Sequence, residues 1–224
     1  MTTHDERDAE REERGLPRWA EVALASGALW VAAPVVATCA VAVKLSSRGP
    51  VLFAQERVGR GFRSFRMYKL RSMRTDLAGA HVTRSHDPRI TRVGRILRKY
   101  KLDEIPELWN VVRGDMALVG PRPEVPSFVD PEDPAWREVM RVRPGLTHPV
   151  TIALRNEEEL IASSDLPAGE FYRERLLPWK LAAYARYEQR RSWWTDCVVL
   201  CQTVAAVVRP ASVVAPDLSA RTAS

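Results

Sequence analysis

An adjacent carboxylate pair, Asp103-Glu104, follows a stretch rich in cations (Arg92, Arg95, Arg98, Lys99) and precedes a stiff Pro121-Arg122-Pro123 corner. Acids set among arginines suit an anionic, phosphate-bearing ligand, with one acid left over for chemistry. Neighbouring residues on a helix do not face each other, so this pair does not flank one bond as glycosidase carboxyls do, at about 5 Å or more across the substrate. Division of labour fits better: one carboxylate as nucleophile, the other as ligand to a hard cation. The order Asp-Glu-Ile-Pro also reads as a plain helix start, with acids at the positive end of the dipole and Pro106 in the first turn. Such a start presents unpaired N–H groups, which attract phosphate as well.

The elements that must position these residues follow from periodicity. Thr91 caps a helix with Val93, Ile96, Leu97 and Tyr100 on its apolar face and Arg92, Arg95, Arg98 and Lys99 opposite. After the acidic pair, a helix buries Leu108, Trp109, Val111 and Val112 and ends at Gly114, where Asp115 ties down the turn. Met116 to Val119 reads as a short strand. Upstream, Val51–Gln55 and Phe62–Lys69 form an expected hairpin joined by Val58-Gly-Arg-Gly61. Ser64 stands where a third glycine would be needed, and no Walker lysine follows, which excludes dinucleotide-binding and P-loop chemistry. Downstream, a helix starts near Pro134, Arg143-Pro-Gly-Leu-Thr147 makes a turn, and one long helix runs from Leu181 to Val208. Its Trp193-Trp194 pair suits a membrane interface. The fold class expected is α+β, mainly helical, with a small antiparallel sheet.

The 224-residue chain carries a net charge of +6, almost wholly from arginine. A basic surface fits anionic lipid, nucleic acid or a phosphorylated substrate. Cys39, Cys197 and Cys201 form no disulfide framework, and the scattered histidines make no zinc set. From Val22 to Val43 there is no charged residue. A straight helix of that length would reach about 33 Å, against a hydrocarbon core of about 30 Å. Pro34 interrupts the run and both flanks are basic, which favours a re-entrant helix-break-helix returning to one face over the alternative of a transmembrane span. The expected organisation is a charged tail over 1–17, the membrane element over 18–44, a catalytic domain with interfacial helices over 45–208 and a loose tail over 209–224. Residues 74–86 read as a polar loop.

Three segments, beginning at Asp87-Pro-Arg-Ile-Thr-Arg, Leu102-Asp-Glu-Ile-Pro-Glu-Leu-Trp-Asn-Val and Arg113-Gly-Asp-Met-Ala-Leu-Val-Gly-Pro-Arg-Pro, resemble in order the bacterial sugar transferases. These are the monotopic polyprenyl-phosphate phosphoglycosyl transferases, and the likeness runs with gaps from Arg18 to Thr203. The resemblance implies transfer of a phosphosugar from a UDP-sugar to undecaprenyl phosphate through a covalent aspartyl-phosphosugar. That is the first membrane step of polysaccharide assembly, at the cytoplasmic face of the bacterial inner membrane. It implies Asp103 as nucleophile, Glu104 as its catalytic partner and Mg²⁺ ligand, and Lys69, Arg98 and Arg122 as phosphate-binding cations. Pro121 and Pro123 would shape the nucleotide loop. UDP-sugar, polyprenyl phosphate and membrane lipids are the implied partners, nucleic acid is not, and the oligomeric state stays open, a homodimer included. The segment from His148 to Leu160 resembles a different subset of the family, which leaves the sugar open. The competing expectation is a non-catalytic, membrane-tethered basic module binding anionic lipid or nucleic acid. The transfer reading requires an open cleft in which Asp103 faces Arg98 and Arg122.

Overall fold

The computed structural model describes residues 14–74 and 87–208. The expected polar loop, apart from Arg74 at its edge, lies outside these residues, as do the C-terminal tail and most of the N-terminal one. The chain is mainly helical, as expected. Helix α1 (Arg18–Ser46) leads into a hairpin of β1 (Leu52–Val58) and β2 (Ser64–Leu70), paired antiparallel from Leu52↔Leu70 to Val58↔Ser64. Then come α2 (Arg92–Lys99), a 3-10 turn (Leu102–Glu104), α3 (Glu107–Arg113) and β3 (Ala117–Val119). The remainder is α4 (Pro134–Val139), β4 (Gly145–Thr147), α5 (Pro149–Ala153), α6 (Glu157–Ala162), α7 (Ala168–Phe171), α8 (Leu177–Arg190) and α9 (Trp193–Val208).

Three of these findings differ from the sequence expectations. The break expected at Pro34 is not seen: α1 runs through it without interruption. Thr38 Oγ1 donates to the Pro34 carbonyl at 2.9 Å. The turn at Arg143–Thr147 contains a strand, β4, which lies parallel to β3. Glycines allow that approach, because a Cβ on Gly145 would strike the Gly120 backbone. The single helix expected over 181–208 is two, parted at Arg191-Ser192, where Ser192 and Thr195 exchange capping hydrogen bonds. Arg191 leaves the helix there, with ψ 137°, and its side chain donates to the Val119 carbonyl (2.8 Å) and to Asp196 (3.0 Å), both buried.

Helix α1 is docked at both ends. At its start Arg18 donates to the Val111 and Val112 carbonyls at 2.6 and 3.0 Å, capping α3, while buried Glu21 accepts from Leu118 N at 3.1 Å. At its end Val43 packs with Leu70 and Leu97, and Arg71 ties the Val43, Ser47 and Arg48 carbonyls. Glu21, Ala25, Leu29, Val36, Cys39 and Val43 share the inward face. Trp30, at 82% exposure, Val31, Val41 and Leu45 lie outward and bare. Residues expected to belong to a loose tail are also pinned: Leu16 is buried and donates its N–H to Asp196 Oδ2 at 3.0 Å.

Candidate active site

Lys101 takes the left-handed conformation (φ 56°), which is uncommon without glycine and sharply redirects the chain after α2. The 3-10 turn that follows sends Asp103 inward, and α3 starts only at Glu107. The acidic pair therefore sits on this turn and not in the first turn of an α-helix. Asn110 then locks α3 to β2, accepting from Tyr68 N (3.1 Å) and donating to the Arg66 carbonyl (2.7 Å). That stitch sets Lys69, at the end of β2, beside the acids. Arg122 arrives from the corner after β3, itself held by the β3–β4 pair.

Four of the expected residues meet here. Glu104 Oε1 accepts from Arg122 Nη2 at 2.5 Å and Lys69 Nζ at 3.2 Å, with Lys101 Nζ at 3.7 Å. Burial works to raise the Glu104 pKa, but Arg122, Lys101 and Lys69 outweigh it and hold the carboxyl well below its usual range. Asp103 moves the other way. Burial and the Glu104 charge raise its pKa against the pull of Lys69, Lys101 and Arg98. Its Oδ1 is buried and finds no hydrogen-bond partner among the described residues.

The arrangement departs from the expected open cleft. Asp103 is covered, with 5% of its surface exposed, and pairs directly with neither Arg98 nor Arg122. Arg98 instead donates to Ser72 Oγ at 3.4 Å and to Glu158 at the start of α6. It reaches Asp103 only through space, as one of the charges lowering that carboxyl's pKa. Pro121 and Pro123 are in place on either side of Arg122, and both are buried.

Two participants were missed in the sequence. Lys101 shares Glu104, and the i, i+3 spacing was the available signal. Glu107 is fully buried and faces Lys69 Nζ at 3.1 Å as an ion pair without hydrogen-bond geometry. Nothing local marked it, because its partner Lys69 lies far back along the chain. For a metal, Glu104 Oε2 is the less engaged carboxylate oxygen, with a 3.5 Å contact from Arg122 Nη1. Mg²⁺ commonly takes one or two carboxylates beside substrate phosphates, and this oxygen fits that role. Among the described residues no group of three or more His, Cys, Asp or Glu is arranged around a metal position.

The family model described as bacterial sugar transferase matches residues 12–210, and the chain belongs to that family. Among curated relatives, an Aeromonas hydrophila UDP-N-acetylgalactosamine-undecaprenyl-phosphate N-acetylgalactosaminephosphotransferase is 47% identical over 119 residues, covering 51% of this chain and 28% of that protein. A Caulobacter vibrioides UDP-glucose:undecaprenyl-phosphate glucose-1-phosphate transferase is 39% identical over 178 residues, 77% of this chain and 62% of its own length. The exopolysaccharide production protein PSS of Rhizobium leguminosarum bv. phaseoli is 51% identical over 98 residues, covering 42% of this chain and 49% of that protein. The chain thus spans less than two thirds of each of these relatives.

Proposed function

We propose that this chain is a polyprenyl-phosphate sugar-1-phosphate transferase using UDP-sugar as donor and undecaprenyl phosphate as acceptor. An Asp103 oxygen attacks the sugar-bearing phosphorus, forming a P–O bond to the enzyme as the bond to the bridging oxygen breaks and UMP leaves. An oxygen of polyprenyl phosphate then attacks the same phosphorus. The acyl-phosphate bond breaks, Asp103 is regenerated and polyprenyl diphosphate sugar departs. The observation that carries this reading is the Asp103 carboxyl itself: a buried acid with an oxygen free of hydrogen bonds beside a cation-rich neighbour. A nucleophile needs an uncommitted lone pair, and a raised pKa makes the ionised form a stronger one.

Arg122, Lys69 and Lys101 hold positive charge where the diphosphate would lie, offsetting repulsion between carboxylate and phosphate. Arg98 supplies a further cation once phosphate replaces Glu158 on it. Pro121 and Pro123 stiffen the loop for the nucleotide. Glu104 Oε2 would hold Mg²⁺, which when bound neutralises the diphosphate. With Asp103 covered, uncovering of the site precedes attack.

Helix α1 is long and apolar enough to cross a membrane by length and composition. Both of its ends dock on the same domain, which supports a helix immersed from one side, so that the domain stays at the cytoplasmic face where nucleotide sugars are made. The exposed Trp193 and Trp194 of α9 fit the same lipid boundary. The non-catalytic module does not account for the free Asp103 oxygen.

The test is incubation with UDP-sugar and Mg²⁺ without lipid acceptor. Intact-mass measurement is expected to detect a phosphosugar adduct that is absent in Asp103→Asn. An adduct persisting in that variant would remove Asp103 from the role.

A further inference from the structure

The corner that presents Arg122 is fastened at the carbonyls around it. Pro121 O accepts from Gly145 N at 2.8 Å, and Glu124 O accepts from Val58 N at 2.9 Å. Between them, Pro123 O accepts from the Arg57 side chain, Nη1, at 2.9 Å. The other arm of that guanidinium donates to Gln55 Oε1 at 2.7 Å, so the fork bridges β1 and the corner. Nη1 also stands 3.9 Å from Glu124 Oε2. The opposite oxygen of Glu124 is taken by Lys180 Nζ at 2.7 Å and by the Tyr172 hydroxyl.

Proline rings fix φ at Pro121 and Pro123 and restrict the residues before them, so the soft joints left in the corner are the two proline ψ angles. A carbonyl's direction is set by ψ. The bonds to Pro121 O and Pro123 O therefore hold the joints on both sides of Arg122. One is a backbone bond that any sequence with this strand pairing would make. The other depends on a single side chain.

We propose that Arg57 is a positioning residue for the transfer reaction: by pinning the Pro123 carbonyl it holds the Arg122 guanidinium on Glu104. Arg57 itself donates to neither Asp103 nor Glu104 and acts through Arg122. Its place in the sequence gave no hint of this, because Arg57 counts there only towards the basic flank of the membrane element. The kinetic arm of the proposal rests on the transfer reading above. The structural arm does not.

The experiment compares the full chain with Arg57→Gln, Arg122→Gln and the double variant in detergent, by UMP release and by hydrogen exchange. Arg57→Gln is expected to lower kcat/KM by about tenfold to a hundredfold, the scale of a group misplaced away from the chemistry. The double variant is expected to be no slower than Arg122→Gln alone, since nothing then remains to be positioned. A full-rate Arg57→Gln, or losses that simply multiply in the double variant, would overturn the proposal. A purely structural role predicts the latter.

Exchange at the Gly120, Arg122 and Glu124 amides is expected to quicken in Arg57→Gln while the Tm stays near that of the parent, because Glu124 keeps Lys180 and Tyr172. Unchanged exchange there overturns the proposal whatever the activity. Quickened exchange in a chain that releases no UMP from any donor leaves the positioning intact and removes the transfer reading. Should Arg57→Gln not fold, Arg57→Lys serves instead. It keeps a charge near Glu124 but cannot span Gln55 and Pro123 with one ammonium, and the same local quickening is expected.

Discussion

Two glutamates, Glu104 and Glu124, lie on opposite sides of the Arg122 corner, and each is held by lysine and arginine. Around Glu124 the carboxylate, Lys180 and Tyr172 satisfy one another in a closed, buried set, with Arg57 nearby. Around Glu104 the charges are also met, but Asp103 Oδ1 is a buried acceptor without a hydrogen bond among the described residues, and Glu107 faces the Lys69 charge; beside Glu124 the atoms left over are the Arg57 Nε donor and the Tyr184 hydroxyl. Buried polar atoms are normally paired, since an unpaired one costs about 1–3 kcal/mol. One cluster is therefore built to hold the fold. The other keeps an Asp103 oxygen free, which a structural role does not require and a reacting carboxylate does.

Severing each cluster at one cation gives the largest contrast. Lys180→Met leaves buried Glu124 with the Tyr172 hydroxyl and a guanidinium 3.9 Å away, and is expected to cost about 3–5 kcal/mol, read as a fall in Tm. Arg122→Gln leaves Glu104 with Lys69 and Lys101, so the Tm should hold while UMP release drops by about a hundredfold or more. Equal Tm losses in the two variants would erase the distinction.

Removing the charge of Asp103 sharpens it further. Burial and Glu104 raise the folded pKa of Asp103, so its ionised form costs stability at neutral pH. Asp103→Asn is expected to be inactive and yet to melt a few degrees higher at neutral pH. That advantage should shrink toward about pH 4, the unfolded pKa, below which Asp103 is protonated in both states. Glu124 has the opposite sign. Burial would raise its pKa, but Lys180 and Arg57 overcome it and leave it lowered. Its contribution is present above about pH 4.3 and is lost as pH falls through the lower folded value. A scan of Tm against pH for Asp103→Asn and the parent separates the two.

Glu104→Gln is expected to shift the Mg²⁺ titration of UMP release to higher concentration. An unchanged titration would exclude Glu104 as the ligand. The smallest effect concerns Glu158, which occupies Arg98 as a half-exposed ion pair. Such a pair is worth about 0.2–1 kcal/mol, so Glu158→Gln is expected to lower the KM for the nucleotide sugar by about twofold to fivefold.

Much of the local structure was legible in the chain. Thr91 does cap α2 through Gly94 N at 2.8 Å, Gly114 does end α3 with φ 95°, and the expected hairpin forms, with its first strand running on to Val58 and its second starting at Ser64. Each of these depends on contacts between residues near in sequence. The apolar face read for α2 held only in part: Leu97 is buried, while Ile96 and Tyr100 are exposed, because only tertiary neighbours decide which side is covered. Arg57, Glu124 and Lys180 carried no local signal, and Glu21 showed only its i, i+3 spacing to Arg18. Their partners lie far along the chain, as Glu21 with Leu118 and Lys180 with Glu124.

From the sequence alone came the family, the acidic pair with its cations, the apolar N-terminal run and the order of elements as far as α4, since motifs and periodicity need only neighbouring positions. Which acid stays unpaired, which cation meets Glu104, where Arg98 points and that α1 docks by both ends were decided by tertiary structure alone. Distant segments compete there for each charge, and burial changes what that charge costs.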